Sequence, residues 1–429
     1  MRSGLLRDGA IYTVANVLSA GVPFLLLPVL TRALPPHDYG AVFNFFMLVS
    51  ISNSLAGLGV HSAVSVKWFA SGDGDFAAYV GAAVTLALLS TAVCAAVMLL
   101  FASFFANTLG LAWWFWPLAA VFAGAMVIVG VRTTLWQSQR MALQSAGFQV
   151  TTAIFNVGLS LIAVFFLAMG GAGRIVGAVV ASVLCAAAAI VLLRSAGDMR
   201  WSVARSDTRN LLRFGLPLIP HSLAGALMAS ADRFSVAGNL GPDALGVYGA
   251  AAQIGMAMNV LGDAMVKAFS PWMYRQMASR FGAGRLRVVG ATYLMVPAWL
   301  LLALALWGLF ALLGPLLLDK RYLAALDLVP MFLLGGAMSS IYLSIAGLFF
   351  FTSKTEWLSM ATVLSSASAL VVAPLMASKY GVRGAAIAYL VIQTLQLALA
   401  WLLSTKVQPM PWGRPALALR VAIRGWGHR

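Results

Sequence analysis

The sequence predicts an all-α integral membrane protein of about twelve transmembrane helices in two pseudo-symmetric six-helix bundles. Three observations lead there. Of 429 residues, 62% are hydrophobic and only 9% are charged, against about 25% charged in a soluble domain. The apolar residues fall in runs long enough to cross a bilayer, which takes about 20 residues. Finally, "LLRDG" at Leu5–Gly9 returns as "LLRFG" at Leu211–Gly215, 206 positions later.

The apolar runs lie near 9–31, 39–66, 77–104, 112–136, 146–170, 174–194, 212–238, 244–272, 288–314, 325–351, 357–378 and 384–405. The first is too long for a signal-peptide core and has no small-residue cleavage pattern, so it reads as a retained helix. Pro23, Pro28, Pro217 and Pro220 are expected to bend the first and seventh spans, since proline removes a helical hydrogen bond. Cys94 and Cys185 sit inside apolar runs, with no His or second Cys at ligand spacing, and read as small buried residues.

The net charge of +16 does not point to nucleic acid. The basic residues sit in short gaps between apolar runs, as orienting charges do in membrane proteins. With the N-terminus inside, twenty Lys and Arg fall on the inner side, Arg140, Arg194, Arg205 and Arg285 among them. Six fall outside: Arg32, Arg174, Lys320, Arg321, Lys379 and Arg383. Both termini are therefore expected in the cytoplasm.

The 206-residue offset also pairs Gly40 with Gly246 and Asn53 with Asn259, and an offset of 207 pairs Gly177 with Gly384. The expected organisation is a bundle over 1–194, a cytoplasmic linker over 195–211, a second bundle over 212–405 and a basic cytoplasmic tail over 406–429. Six spans per copy is an even number, so both copies start on the same side and are parallel repeats.

The first interhelical loop reads "TRALPPHDYGAVFNFF" (Thr31–Phe46) and its counterpart "DRFSVAGNLGPDALGVYGAA" (Asp232–Ala251). With "GLFFFTSKTEWLS" (Gly347–Ser359) and "YGVRGAAIAYL" (Tyr380–Leu390), these resemble motifs of the polysaccharide transporter, or O-antigen flippase, family. The resemblance runs over most of the chain and is strongest in its second half. It implies the V-shaped fold of the multidrug, oligosaccharidyl-lipid and polysaccharide exporter superfamily. It also implies a substrate, an oligosaccharide on undecaprenyl pyrophosphate, moved from the cytoplasmic to the periplasmic leaflet. The products would be O-antigen of lipopolysaccharide, capsule or exopolysaccharide, with a polymerase and chain-length machinery as partners. Pro35 departs from the family's loop glycine, and twelve spans argue against the fourteen-span peptidoglycan-precursor flippases.

Polar residues within the spans are few. Asn259, Asp263 and Lys267 recur every four residues, so they share one helix face, and Asp263 and Lys267 can pair. The offset maps them onto Asn53, Gly57 and His61. One reading is a site for the pyrophosphate, whose negative charges need such donors. The other is that Lys267 snorkels to the inner headgroups while Asp263 neutralises it, and that His61 is a packed histidine. Asp232 and Arg233 lie in the outer third of the seventh span, pointing about 100° apart. They read as an interhelical or gating pair, or as a cavity cation beside a carboxylate that couples transport to protons or sodium. "GDGD" at Gly72–Asp75 contains the Asp-x-Asp of many glycosyltransferases but has no nucleotide-binding fold around it, so a solvated turn is expected. There is no phosphate-binding Gly-rich loop ending in Gly-Lys-Ser/Thr, so ATP hydrolysis is not expected and no cofactor is implied.

The function expected is that of a flippase rather than an enzyme. A drug or small-cation exporter is the first rival, but its site would favour acidic residues. An intramembrane polymerase would carry a large periplasmic loop, and the loops here are short. A non-transporting scaffold would not need the buried polar stripes. The charge split makes a topology prediction: a reporter fused after Arg205 reads cytoplasmic and one near Asp243 reads periplasmic. A periplasmic signal from the 195–211 loop would overturn the orientation.

Overall fold

The structure is a computed structural model that describes residues 11, 21–22, 24–69, 75–109, 111–202, 204–278, 283–352 and 354–426. Among these residues there is no strand. Ten helices are long and apolar enough to cross a membrane. Two of the ten are each two helices joined at a glycine with positive φ, Gly241 (φ 83°) and Gly381 (φ 61°). At the second, the chain doubles back. A Cβ on Gly384 would overlap the carbonyl oxygen of Met376, eight residues earlier. An unbroken helix would hold those residues about 12 Å apart along its axis.

The chain divides into two compact units, Met1–Gly246 and Val247–Arg429. In the first, α1 (Phe24–Ala33) leads to α2 (Pro36–Ala56) and α3 (Val60–Phe69). These two together form the predicted second span. It is interrupted at Gly57–Gly59, where Leu58 (φ 44°) and Gly59 (φ 58°) take left-handed backbone. Next come α4 (Phe76–Leu109), α5 (Phe115–Ser138), α6 (Ala142–Leu161) with a π turn at Ile162–Phe166, and α7 (Gly170–Ser195). The seventh span begins inside the predicted linker, as α8 (Arg205–Gly215), continues as α9 (Leu218–Met228) and resumes in α10 (Ala231–Ala278). Its breaks fall at Leu216–Pro217 and Ala229–Ser230, the first where proline denies the backbone donor. Pro23 lies outside the described residues.

Close approach in this unit depends on glycine. α5, α6 and α7 pack on one another, and a Cβ on Gly177 would sit 2.6 Å from the Ser160 Cα, inside any real contact. Cys94 and Cys185 are both free and buried, as expected. Cys185 joins Val64, Tyr79, Val131 and Leu211 in the apolar core of the unit.

The end of the unit where α7 begins is held by polar groups. Asp38 accepts from the Gly171 backbone N–H at 3.0 Å, capping α7 and satisfying a donor that the helix itself cannot. Arg174, counted above among the outer orienting charges, turns inward instead and is buried. Its guanidinium donates to Asn156 Oδ1 (3.0 Å) and Ser160 Oγ (2.7 Å) and lies over the Phe46 ring. At the other end of α7, Arg132 is buried against Asp198, which Gln139 also reaches, fixing the turn after the helix.

In the second unit, α11 (Ala283–Leu317) and α12 (Val329–Phe351) pack together, and α12 packs along α13 (Thr355–Val407). The turns around Asp319–Asp327 and Gly381 carry ion pairs, Arg321 with Asp319 (2.7 Å) and Arg383 with Asp327 (2.9 Å). The expected basic tail is ordered as α14 (Pro415–Trp426), seated against α11.

Candidate functional site

The polar stripe of the eighth span lies on one unbroken helix. Gly241 takes a conformation open mainly to glycine and Pro242 supplies a preset φ at the first helical position. The helix then runs from Pro242 to Ala278. Lys267 Nζ lies 2.6 Å from Asp263 Oδ2, and the two side chains are 58% and 61% exposed. The Asn259 side chain is half-buried toward α12, with its Oδ1 near Gly336. Depth follows from the helical rise. Asp263 is twenty residues below Asp243, about 30 Å at 1.5 Å each, close to the full hydrocarbon thickness. The helix thus separates the ion pair from the Gly241–Asp243 turn by about the full thickness of an apolar layer.

The matching residues of the second span do not share such a face. Asn53 and His61 are both exposed, but the break at Gly57–Gly59 falls between them. Asn53 ends α2, whereas His61 opens α3. The continuous stripe expected from the repeat is interrupted because Leu58 and Gly59 occupy backbone that no helix allows. The signal in the sequence was Gly-Leu-Gly, where the eighth span has Asp263-Ala264-Met265. The break is packed: a Cβ on Gly215 of α8 would overlap the Leu58 carbonyl, and Gly59 faces Phe214 and Leu218.

Asp232 is buried, and its Oδ1 accepts from the Arg233 backbone N–H at 2.8 Å. The Arg233 guanidinium lies over the Phe43 ring of α2, 4.7 Å from its centre, while its Nε is buried without a hydrogen-bond partner. The neighbours thus point to different surroundings, as their 100° separation requires. Asp75 of the "GDGD" turn is structural. It accepts from Ala78 N at 3.0 Å, capping α4, and pairs with Arg200. Gly72–Gly74 lie outside the described residues. Among those described, no group of three or more His, Cys, Asp or Glu is placed to hold a metal.

One feature was missed by the sequence reading, although its residues had been paired. A Cβ on Gly40 would overlap the Pro242 carbonyl, and a Cβ on Gly246 would overlap the Pro36 carbonyl. Gly40 and Gly246 are repeat partners, and so are Pro36 and Pro242. The contact is reciprocal, residue i on j and j on i, the signature of a two-fold interface. Beside it His37 Nδ1 lies 3.8 Å from Asp243 Oδ2, its own repeat partner, with both side chains more than half exposed. The loops on either side turn differently. Pro35 has φ −67° and ψ 160°, whereas Gly241 has φ 83° and ψ 176°. Proline locks φ near −65°, so its substitution for the family's glycine changes one dihedral and leaves the other nearly unchanged.

With this geometry in place, the relatives can be compared. Residues 5–277, more than half of the chain, match the family described as polysaccharide biosynthesis protein. The chain belongs to that family. A membrane protein of Haemophilus influenzae is 24% identical over 375 residues, 84% of this chain and 88% of the relative. Among solved structures, the inward-facing conformation of a multidrug resistance MATE family transporter of the MOP superfamily aligns with TM-score 0.70. The identity is 16%, and the match covers 97% of this chain and 96% of that one. The lipid II flippase MurJ in an inward closed conformation aligns with TM-score 0.69 at 11% identity, over 98% and 91%. These likenesses establish the exporter fold for this family member, a multi-pass membrane protein of polysaccharide biosynthesis.

The reciprocal crossing makes its own prediction. In a His37→Cys/Asp243→Cys variant, mild oxidation or a short bifunctional thiol reagent joins the two positions in most molecules, as read by peptide mass spectrometry. Two thiols that label fully but separately would show that the crossing does not form in the membrane.

Proposed function

We propose that this protein turns an oligosaccharide linked to undecaprenyl pyrophosphate from the cytoplasmic to the periplasmic leaflet of the bacterial inner membrane. The carrying observation is the exposed Asp263–Lys267 pair, about 30 Å along its helix from Asp243; with both termini in the cytoplasm, as this reading takes them, it lies at the depth of inner-leaflet phosphates. A pyrophosphate waiting in that leaflet lies at the same depth. Lys267 offers it three donors and a full charge, and Asp263 holds the ammonium in place until the more highly charged phosphate displaces it. Asn259, one turn nearer the outside, Asn53 and His61 add neutral donors. Arg233, stacked on Phe43, is a further cation on the outer part of the path.

A drug or small-cation exporter is less well supported, because the cations in this set, Lys267 and Arg233, would repel its substrate. Nothing in the short loops offers an enzyme the space for a catalytic domain. Movement follows alternating access: two parallel repeats rock about their interface, and the Gly40–Gly246 crossing parts to release the substrate outward. A proton or sodium gradient is the proposed drive, with Asp232 as the coupling carboxylate. Asp263 suits that role less well, since its carboxylate is already paired with Lys267 one turn away. Assembly with a polymerase and chain-length machinery for O-antigen, capsule or exopolysaccharide completes the proposal.

One set of variants tests it. Lys267→Ala lowers surface polysaccharide by about tenfold or more, the worth of a charge-assisted hydrogen bond, while the protein still reaches the membrane. Lys267→Arg keeps part of the function and His61→Ala is milder. Asp232→Asn, reconstituted in proteoliposomes, binds substrate but no longer responds to the ion gradient. Normal polysaccharide in the Lys267→Ala strain reduces Lys267 to a snorkelling anchor, and an unchanged gradient response makes Asp232 structural.

A further inference from the structure

The C-terminal segment carries a surface that flipping does not use. α11 has 35 residues, about 52 Å of helix at 1.5 Å per residue, against about 30 Å of hydrocarbon. It must therefore project beyond the apolar layer. α14 packs beside that projecting inner part. A Cβ on Gly290 would overlap the Ala418 carbonyl and lie 2.7 Å from the Ala422 Cβ, so only glycine lets the two backbones come this close. The chain reaches this position through a turn fixed by Trp412. Its carbonyl accepts from the Tyr293 hydroxyl at 2.6 Å, and its ring meets the edges of Tyr293 and Trp401. Arg285 donates to the Pro409 carbonyl of the same turn at 3.4 Å. Trp and Tyr grouped in this way mark the headgroup level of a membrane protein.

With Ala418 and Ala422 turned to α11, the opposite side of α14 is left open. Arg420 is exposed there with Leu417, 44% exposed, at its flank, and Arg414 is exposed where the helix begins. The charge is of one sign. Residues 283–290 and 406–429 contain Arg285, Arg287, Lys406, Arg414, Arg420, Arg424 and Arg429, and no Asp or Glu. An amphipathic helix with a basic face and apolar residues between the cations is suited to lie in the headgroup layer. A basic segment directly inside a transmembrane helix is attracted to anionic lipid. We propose that α14 and the first turns of α11 form a binding surface for the headgroups of anionic phospholipids in the inner leaflet. Leu417 enters the acyl boundary while Arg414 and Arg420 engage phosphates.

The occupant follows from charge complementarity: a surface of cations with no carboxylate calls for a polyanionic layer, and at this depth that layer is the inner leaflet itself. The test uses the full chain reconstituted in phosphatidylcholine vesicles with a trace of spin-labelled phosphatidylglycerol or spin-labelled phosphatidylcholine. The motionally restricted fraction of each lipid is read by electron paramagnetic resonance. The expected result is about a twofold or greater excess of restricted phosphatidylglycerol, reduced by high salt as Debye screening requires. The excess falls in an Arg414→Gln/Arg420→Gln variant. It persists when two cations of another inner segment are neutralised instead, Arg205→Gln/Arg209→Gln. Equal restriction of the two lipids by the parent protein overturns the proposal, and so does an excess that the α14 variant leaves unchanged or that both variants lose alike. Flipping activity does not enter this readout, so the outcome is independent of the function proposed above.

Discussion

The hydrocarbon layer offers no hydrogen-bond partner, and the rest of the structure follows from that constraint. Every backbone group must be satisfied within its own segment, so the spans are helices. Hydroxyls must also be satisfied locally, and they bond back to carbonyls one turn earlier. Thr31 reaches Leu27, Thr133 reaches Val129, Ser235 reaches Ala231 and Ser365 reaches Ala361. Without a hydrophobic force between helices in lipid, association rests on close packing, which small residues permit. Gly81 on the Arg200 carbonyl, Gly177 on Ser160, Gly290 on Ala418 and the Gly40–Gly246 crossing are all consequences of this.

Where the chain leaves helical geometry, it does so at packed or capped places. The Leu58 carbonyl, freed by the break in the second span, lies against Gly215. The start of α7 is capped by Asp38. Such breaks are tolerated in a bilayer when protein covers them. The break also separates the two repeats in character. The eighth span keeps an unbroken polar stripe, and the second span ends one helix and begins another beside His61. Duplication supplied the same framework twice, and the two copies now present different chemistry at corresponding positions of the repeat.

Much of this was legible in the sequence because lipid makes a simple demand. Apolar run length gave each span, and the duplicated Leu-Gly-Pro and Pro-Pro loops located the turns. The spacing of Asp263 and Lys267 gave their ion pair, since a helix brings residues four apart together. What escaped was whatever depends on a three-dimensional neighbour. Arg174 looked like an orienting charge, and nothing in its flanks announced Asn156 and Ser160 as partners. Residues 415–426 looked like a charged tail, because their apolar face is built from alanines and finds its complement at Gly290. Gly40 and Gly246 were recognised as partners in sequence but not as a contact, since a repeat offset says which residues correspond and not which ones touch.

The central claim is that the chain itself moves a lipid-linked oligosaccharide between leaflets. The most direct measurement uses purified protein in proteoliposomes loaded with a fluorescent undecaprenyl-pyrophosphate oligosaccharide. An impermeant quencher or glycosidase outside the vesicles reports how much sugar is exposed. The account predicts that the protein lets nearly all of the sugar become accessible, where protein-free vesicles stop near the half in the outer leaflet. Accessibility that stays at the protein-free level, with the protein folded and inserted, would contradict it.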